Sequence, residues 1–163
     1  MAADKQRQAA TDDEERRQAM QAYEQFLDEA MREPVKFVKH DARAHDDEAL
    51  YRLVNRHGME WYGWYWLLVE LLTGRKGHSY DVSDDAGWRR LSRDMSCMVD
   101  MSVDDCKQFI SELAEMGLVS PEHLSEIQQV TIIRIRKDAN AYAEGVASKK
   151  LGAWKTNRKR MFS

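Results

Sequence analysis

Long apolar runs are missing from this chain. No window of its 163 residues is apolar enough to span a bilayer, and no hydrophobic stretch follows the first charges at the N-terminus. A membrane span and a secretory signal are therefore not expected, which leaves the cytoplasm as the expected compartment. Cysteine is scarce. Cys97 and Cys106 are the only two, and in apolar helical sequence they read as unpaired structural thiols rather than a disulfide framework. They lack the close paired spacing of a zinc site, and His57, His78 and His123 are scattered, so no metal site is expected. His40 followed by Asp41 has the order of a phosphohydrolase dyad. That chemistry needs further His and Asp ligands on flanking helices, and His45 and Asp46 follow too closely to supply them. There is no phosphate-cradling glycine loop, no serine nucleophile motif and no paired-glycine fingerprint. Neither an enzyme nor a cofactor is expected, and nothing repeats at a solenoid period.

Charge is plentiful: 33% of the residues are Asp, Glu, Lys or Arg, against a usual ~25%. The net charge of −3 conceals a division along the chain. Residues 1–33 hold nine acids and five bases, residues 34–133 hold seventeen and eleven, and residues 134–163 hold two and nine. The C-terminal end is strongly basic, which suggests an electrostatic footprint for a polyanion there; a solvated tail has the same composition.

The elements can be placed from periodicity and caps. Thr11 and Glu14 stand at capping-box spacing and predict a helix start. Met20, Tyr23, Leu27, Ala30 and Met31 then form one apolar stripe until Pro34. Such a helix either docks on its own domain or pairs with a second protomer or a host protein. Leu50, Leu53 and Val54 predict a helix over Asp46 to His57 that Gly58 closes. Met59 to Leu72 is apolar almost all round and should be internal, with Gly63 allowing a neighbouring helix to approach closely. Its aromatics could also stack nucleobases, but no base lies between Glu60 and Thr73, so core packing is the stronger reading. His78 to Val82 predicts a short strand, and Ser83 an N-cap ahead of a helix carrying Trp88, Leu91 and Met95. Ser102 with Asp105 predicts a second capping box, followed by the stripe Cys106, Phe109, Ile110, Leu113 and Met116, which Gly117 ends. Ser120 with Pro121 signals a turn or a first helical turn. Val130 to Arg136 alternates as a β-strand would, with Ile133 and Ile135 on one side and Arg134 and Arg136 on the other. From Lys137 onward the sequence reads as a basic helix fraying toward its end.

One stretch carries a family likeness. Phe-Val-Lys-His-Asp-Ala-Arg-Ala-His-Asp-Asp-Glu-Ala-Leu, followed by Gly-Met-Glu-Trp-Tyr-Gly-Trp-Tyr-Trp-Leu-Leu-Val-Glu-Leu-Leu, lies between Phe37 and Leu72. It resembles the opening of a winged-helix domain of bacteriophage and mobile-element proteins related to replication initiation, akin to the DnaD-like primosomal proteins, over about Val35 to Arg160. The resemblance implies DNA-linked work without catalysis, in the cytoplasm of a bacterial host. It also implies that His40, Asp41, Asp46 and Glu48 cap a helix and fix a strand-to-helix junction. The expected architecture is mainly α with a small antiparallel β wing. It is a winged helix-turn-helix over residues 35–136, with an amphipathic helix over 1–34 and a basic helix over 137–163.

The expected reading helix is acidic, with Asp104, Asp105, Lys107, Gln108, Ser111, Glu112 and Glu115 off its core. Four carboxylates against one lysine should repel a groove lined with phosphates. Asp104 and Asp105 suit a first turn by the helix dipole, whereas Glu112 and Glu115 have no such reason. The candidate contacts to duplex or single-stranded DNA are instead Arg89, Arg90, Arg93, Lys107, Arg134, Arg136, Lys137, Lys149, Lys150, Lys155, Arg158, Lys159 and Arg160, all suited to phosphates. Arg89, Arg90 and Arg93 could equally pair with nearby acids. The competing expectation is a protein-binding inhibitor or adaptor of a host replication or defence machine, such as an anti-CRISPR protein. In that case the acidic Asp104, Asp105, Glu112 and Glu115 would occupy a site built for nucleic acid.

Overall fold

The computed structural model describes residues 2–35, 40, 43–97 and 100–161, with backbone alone at residues 2–10, 45, 159 and 161. Residues 36–39, 41 and 42, and with them Asp41 and the strand expected before the junction to α2, lie outside the described residues. The chain is mainly helical with one small two-stranded antiparallel sheet. It divides into two compact units, residues 33–138 and residues 1–32 with 139–163. Helix α1 (Ala2–Arg32) belongs to the second of these.

The unit of residues 33–138 leads through a short 3-10 turn into α2 (Glu48–His57). The helix start is capped by Asp47, whose carboxylate accepts from the N–H groups of Ala49 and Leu50. The cap of α2 is therefore none of His40, Asp46 or Glu48, the described members of the set expected to provide it; Asp46 pairs with Arg43 at 2.7 Å. Gly58, at φ +86°, ends α2 as expected and opens α3 (Met59–Thr73). Tyr65, Leu68, Val69 and Leu72 are buried, and Trp61 and Trp64 meet the edge of Phe109 at 5.3 and 5.6 Å between ring centroids. The aromatic helix is core, as its pattern predicts. Gly63 is a correction: it is exposed, and a Cβ there would meet nothing within 4 Å.

Strand β1 (Tyr80–Asp81) pairs antiparallel with β2 (Gln129–Val130). Between them come α4 (Asp85–Met95), α5 (Val103–Glu115) and α6 (Pro121–Glu126). The cap of α4 is Asp84, not Ser83: the Asp84 carboxylate accepts from Gly87 N–H at 2.6 Å, and Ser83 N–H donates to Asp81 at 2.9 Å. A carboxylate is the stronger acceptor for a helix N-terminus. Close approach belongs to Gly87, where a Cβ would fall 2.5 Å from the Asp81 carbonyl oxygen. The capping box of Ser102 and Asp105 is present, and α5 buries Cys106, Phe109, Ile110 and Leu113 as its spacing predicts. Ser120 caps α6 with Pro121 in its first turn, so the helical alternative at that point holds.

The strand expected over Val130 to Arg136 is the largest correction. It ends at Val130, Ile132 makes a single bridge to Val119, and α7 (Ile133–Met161) begins at once. β-branched residues favour a strand only where there is an edge to pair with, and β1 offers two residues. Ile133 N–H donates to Leu118 and Arg136 N–H to Ile132, which winds the backbone into a helix. Ile135 and Ala139 then fall on its buried side, one turn apart. Cys106 is buried and its thiol is pushed up to about 12 by desolvation. Cys97 is exposed, against the apolar surroundings expected of it.

In the second unit, α1 starts at Ala2, so Thr11 lies inside the helix and is no cap. The Ala-, Gln-, Lys- and Arg-rich opening is good helix former throughout and holds no breaker. Residues of α7 from Ala139 onward belong to this unit. Lys150 donates to Glu29 at 3.2 Å and Arg158 donates to Gln18, so α1 and this part of α7 run antiparallel. Ala30, Ala143 and Ala147 are buried, and Ala22, Tyr23, Phe26 and Leu27 are half-buried. The packed face is thus rotated from the expected stripe: Phe26 joins it, while Met20 is 60% exposed.

Candidate nucleic-acid interface

The capping box sets α5 with its acidic residues outward, and the structure gives two of them a partner. Glu112 accepts from the Arg56 guanidinium at 2.7 Å and lies 3.2 Å from His57 Nε2, while Glu115 lies 3.9 Å from Arg56. His57 is held flat on Trp61, 3.7 Å between centroids. Arg56, then His57, holds the Glu112 carboxyl below its ordinary 4.5. Glu112 and Glu115 thus have the structural reason that the sequence did not reveal. Asp105 is engaged by Ser102. The one lysine of this face, Lys107, sits 3.9 Å from Asp85 and 5.8 Å above Trp88. What α5 presents outward is Asp104, Asp105, Lys107, Gln108, Ser111 and Glu115, all exposed.

The cations fall into three groups. On α4, which packs against α5, Arg89, Arg90 and Arg93 are exposed. Arg93 lies 3.8 Å from Asp94, and that carboxylate also accepts from Tyr80 Oη at 2.7 Å. The second group opens α7. A strand would have put Arg134 and Arg136 on one side, but in a helix they stand about 200° apart. Arg134 lies 3.9 Å from Asp138 and 5.7 Å over Trp66, whereas Arg136 donates to His123 Nε2 at 2.7 Å. Lys137 is exposed.

The third group lies in the other unit, on the rest of α7. Lys149, Lys155 and Arg160 are exposed. Lys150 is held by Glu29 and stands 5.5 Å over Phe26, and Arg158 is held by Gln18 and stacks 5.3 Å over Trp154. The Lys159 side chain lies outside the described residues. A cavity of about 680 Å³ opens beside Trp154, lined by Asp12, Glu15, Arg16, Lys155 and Arg158. Sequence reasoning did not single out Trp154, Arg56 or His123. The aromatic-plus-cation spacing of Trp154 and Arg158, four residues apart, was the available signal for the first. Nothing local marks Arg56, whose partner is 56 residues away.

Among the described residues no helix is long and apolar enough to cross a membrane, and no three of His, Cys, Asp or Glu gather as a metal site requires. Compared with known proteins, the chain matches no protein family, no curated protein and no solved structure.

Proposed function

We propose that this chain is a bacteriophage or mobile-element protein of winged-helix type that binds DNA in replication initiation or its regulation, mainly through backbone phosphates. The order α2, α3, β1, α4, α5, α6, β2 is compatible with the fold reading, with α4 and α5 as the helix-turn-helix pair, the short α6 inserted after them, and the small sheet at the root of the wing. The observation that carries the function is the outward set of cations on α7. Residues 134–163 hold nine bases against two acids, and Lys149, Lys155 and Arg160 all reach solvent. The acidic outer face of α5 argues against base reading in the major groove, so the affinity is electrostatic and weakly selective for sequence.

A mobility-shift series at rising salt tests this. Wild-type protein should bind duplex DNA at low salt. Replacing Lys149, Lys155 and Arg160 by Glu should weaken it and flatten the dependence of log K on log salt by ~0.9 for each phosphate no longer neutralised. No binding at low salt, or a triple variant equal to wild type, would overturn the reading. The second reading is an inhibitor or adaptor of a host nucleic-acid machine, and the exposed Asp104, Asp105 and Glu115 on α5 favour it. Its mark would be salt-sensitive binding to a basic nucleic-acid channel protein, abolished in Asp104→Lys with Glu115→Lys, with no affinity for DNA itself.

A further inference from the structure

A cavity of about 780 Å³ lies where α7 begins, within the unit of residues 33–138. Leu50, Leu118 and Ile133 give it an apolar wall, Arg134 and Lys137 give it cations, and the His40 ring lies at its edge. Lys137 has no ion-pair partner among the described residues. Tyr65 also lines the cavity. Its side chain is almost entirely buried, at 1% exposure, yet its hydroxyl makes no hydrogen bond among the described residues. Desolvation pushes that phenol up to about 12, so at neutral pH it stays protonated and can donate to a molecule in the cavity. The first turn of α7 adds the positive end of a 29-residue helix. The two carboxylates at the rim already face positive groups: Asp47 accepts from the N–H groups of Ala49 and Leu50, and Asp138 lies 3.9 Å from Arg134.

A phenol donor on the cavity wall, a lysine without an ion-pair partner, an arginine and a helix N-terminus together suit an anion with several acceptor oxygens. The apolar wall and the volume exceed what a bare inorganic anion would use. We propose that this cavity receives a nucleotide bearing a terminal phosphate, with the phosphate on Lys137, Arg134 and the first turn of α7, and the base against Leu50 and Leu118. The proposal rests on the nucleic-acid reading and sharpens it: the chain prefers a phosphorylated strand end to continuous backbone. A strand end and a free mononucleotide share this chemistry, and the test separates them. His40, stacked on Trp66 at 4.0 Å, places an indole reporter beside the site.

The full chain would be titrated with short single-stranded oligonucleotides, dye-labelled at the 3′ end and carrying either a 5′-phosphate or a 5′-hydroxyl. Competition by dAMP and binding to nick-free circular duplex would be measured alongside. The phosphorylated strand should bind about tenfold more tightly, the scale of charge-assisted hydrogen bonds. Lys137→Glu should remove that difference, and Tyr65→Phe should reduce it severalfold. A thermal melt checks that Tyr65→Phe is folded, and the exposed Lys137 supplies a variant with no core to disturb. Competition by dAMP with quenching of Trp fluorescence identifies a free mononucleotide as sufficient; a preference for the phosphorylated strand without competition identifies the strand end. Equal affinity for the two oligonucleotides, with no effect of dAMP, overturns the proposal. Circular duplex has no ends, so its binding reports on contacts to continuous backbone: if it binds while the oligonucleotides are equal, only the cavity assignment fails, and if neither it nor either oligonucleotide binds, the nucleic-acid reading fails.

Discussion

Glu112 shows how one side chain can be misread until its surroundings are known. On a helical wheel it is a surplus acid on a would-be reading face. In the fold it ties α5 to the end of α2 through Arg56 and His57. A carboxyl whose folded pKa is lowered stabilises the fold above its ordinary value, and that contribution fades as pH falls through the lowered value. Glu112→Gln should therefore cost about 1 kcal/mol at neutral pH, on the scale of a partly shielded ion pair. The variant should also lose less stability than wild type as pH drops below the ordinary 4.5. Urea melts at neutral and acid pH read both effects, and parallel pH profiles would contradict the assignment. Asp47 teaches the same lesson in small. The helix start was legible to within two residues, but which of three neighbouring acids caps it depends on the backbone dihedral at the cap, φ −66° and ψ 121°.

Elements were readable where two local signals agreed and unreadable where one stood alone. The capping box and the apolar stripe of α5 point to the same helix, and Gly58 with the α2 stripe to the same stop. The strand inferred from Val-Thr-Ile-Ile-Arg-Ile-Arg had only β-branched composition behind it. It lost to helix because the sheet supplies no further partner and the following residues are helix formers. Glycine roles were also hidden, because what decides them is the neighbour and not the residue. Gly63→Ala, on an exposed position of α3, should stabilise by about 0.5–1 kcal/mol through helix propensity. Gly87→Ala, driven against the Asp81 carbonyl, should destabilise by about 1–3 kcal/mol as overpacking does. Denaturant midpoints of the two variants should move in opposite directions; shifts of the same sign would refute the packing described for β1 and α4.

At the scale of the molecule, charge counting found the basic end of the chain but could not sort its members. Lys150, Arg136 and Arg158 are taken up by Glu29, His123 and Gln18, and only the packing of α1 on α7 and of α6 beside α7 shows it. The separation of sign has a further effect. Residues 1–133 carry 26 acids and 16 bases, the reverse of the balance in residues 134–163. Acidic and basic parts of different copies should attract at low ionic strength and cease to once the Debye length falls below ~10 Å. Light scattering should show a mass that rises as salt is removed and returns to the monomer value above about 0.1 M salt. A mass that ignores salt would count against it. The two sulfurs offer a different kind of readout, since Cys97 is on the surface and Cys106 is on the buried face of α5. A maleimide dye should titrate one equivalent at once from the folded chain and the second only as α5 lifts from the core. The protein therefore carries its own stopwatch for opening, with no engineered probe needed.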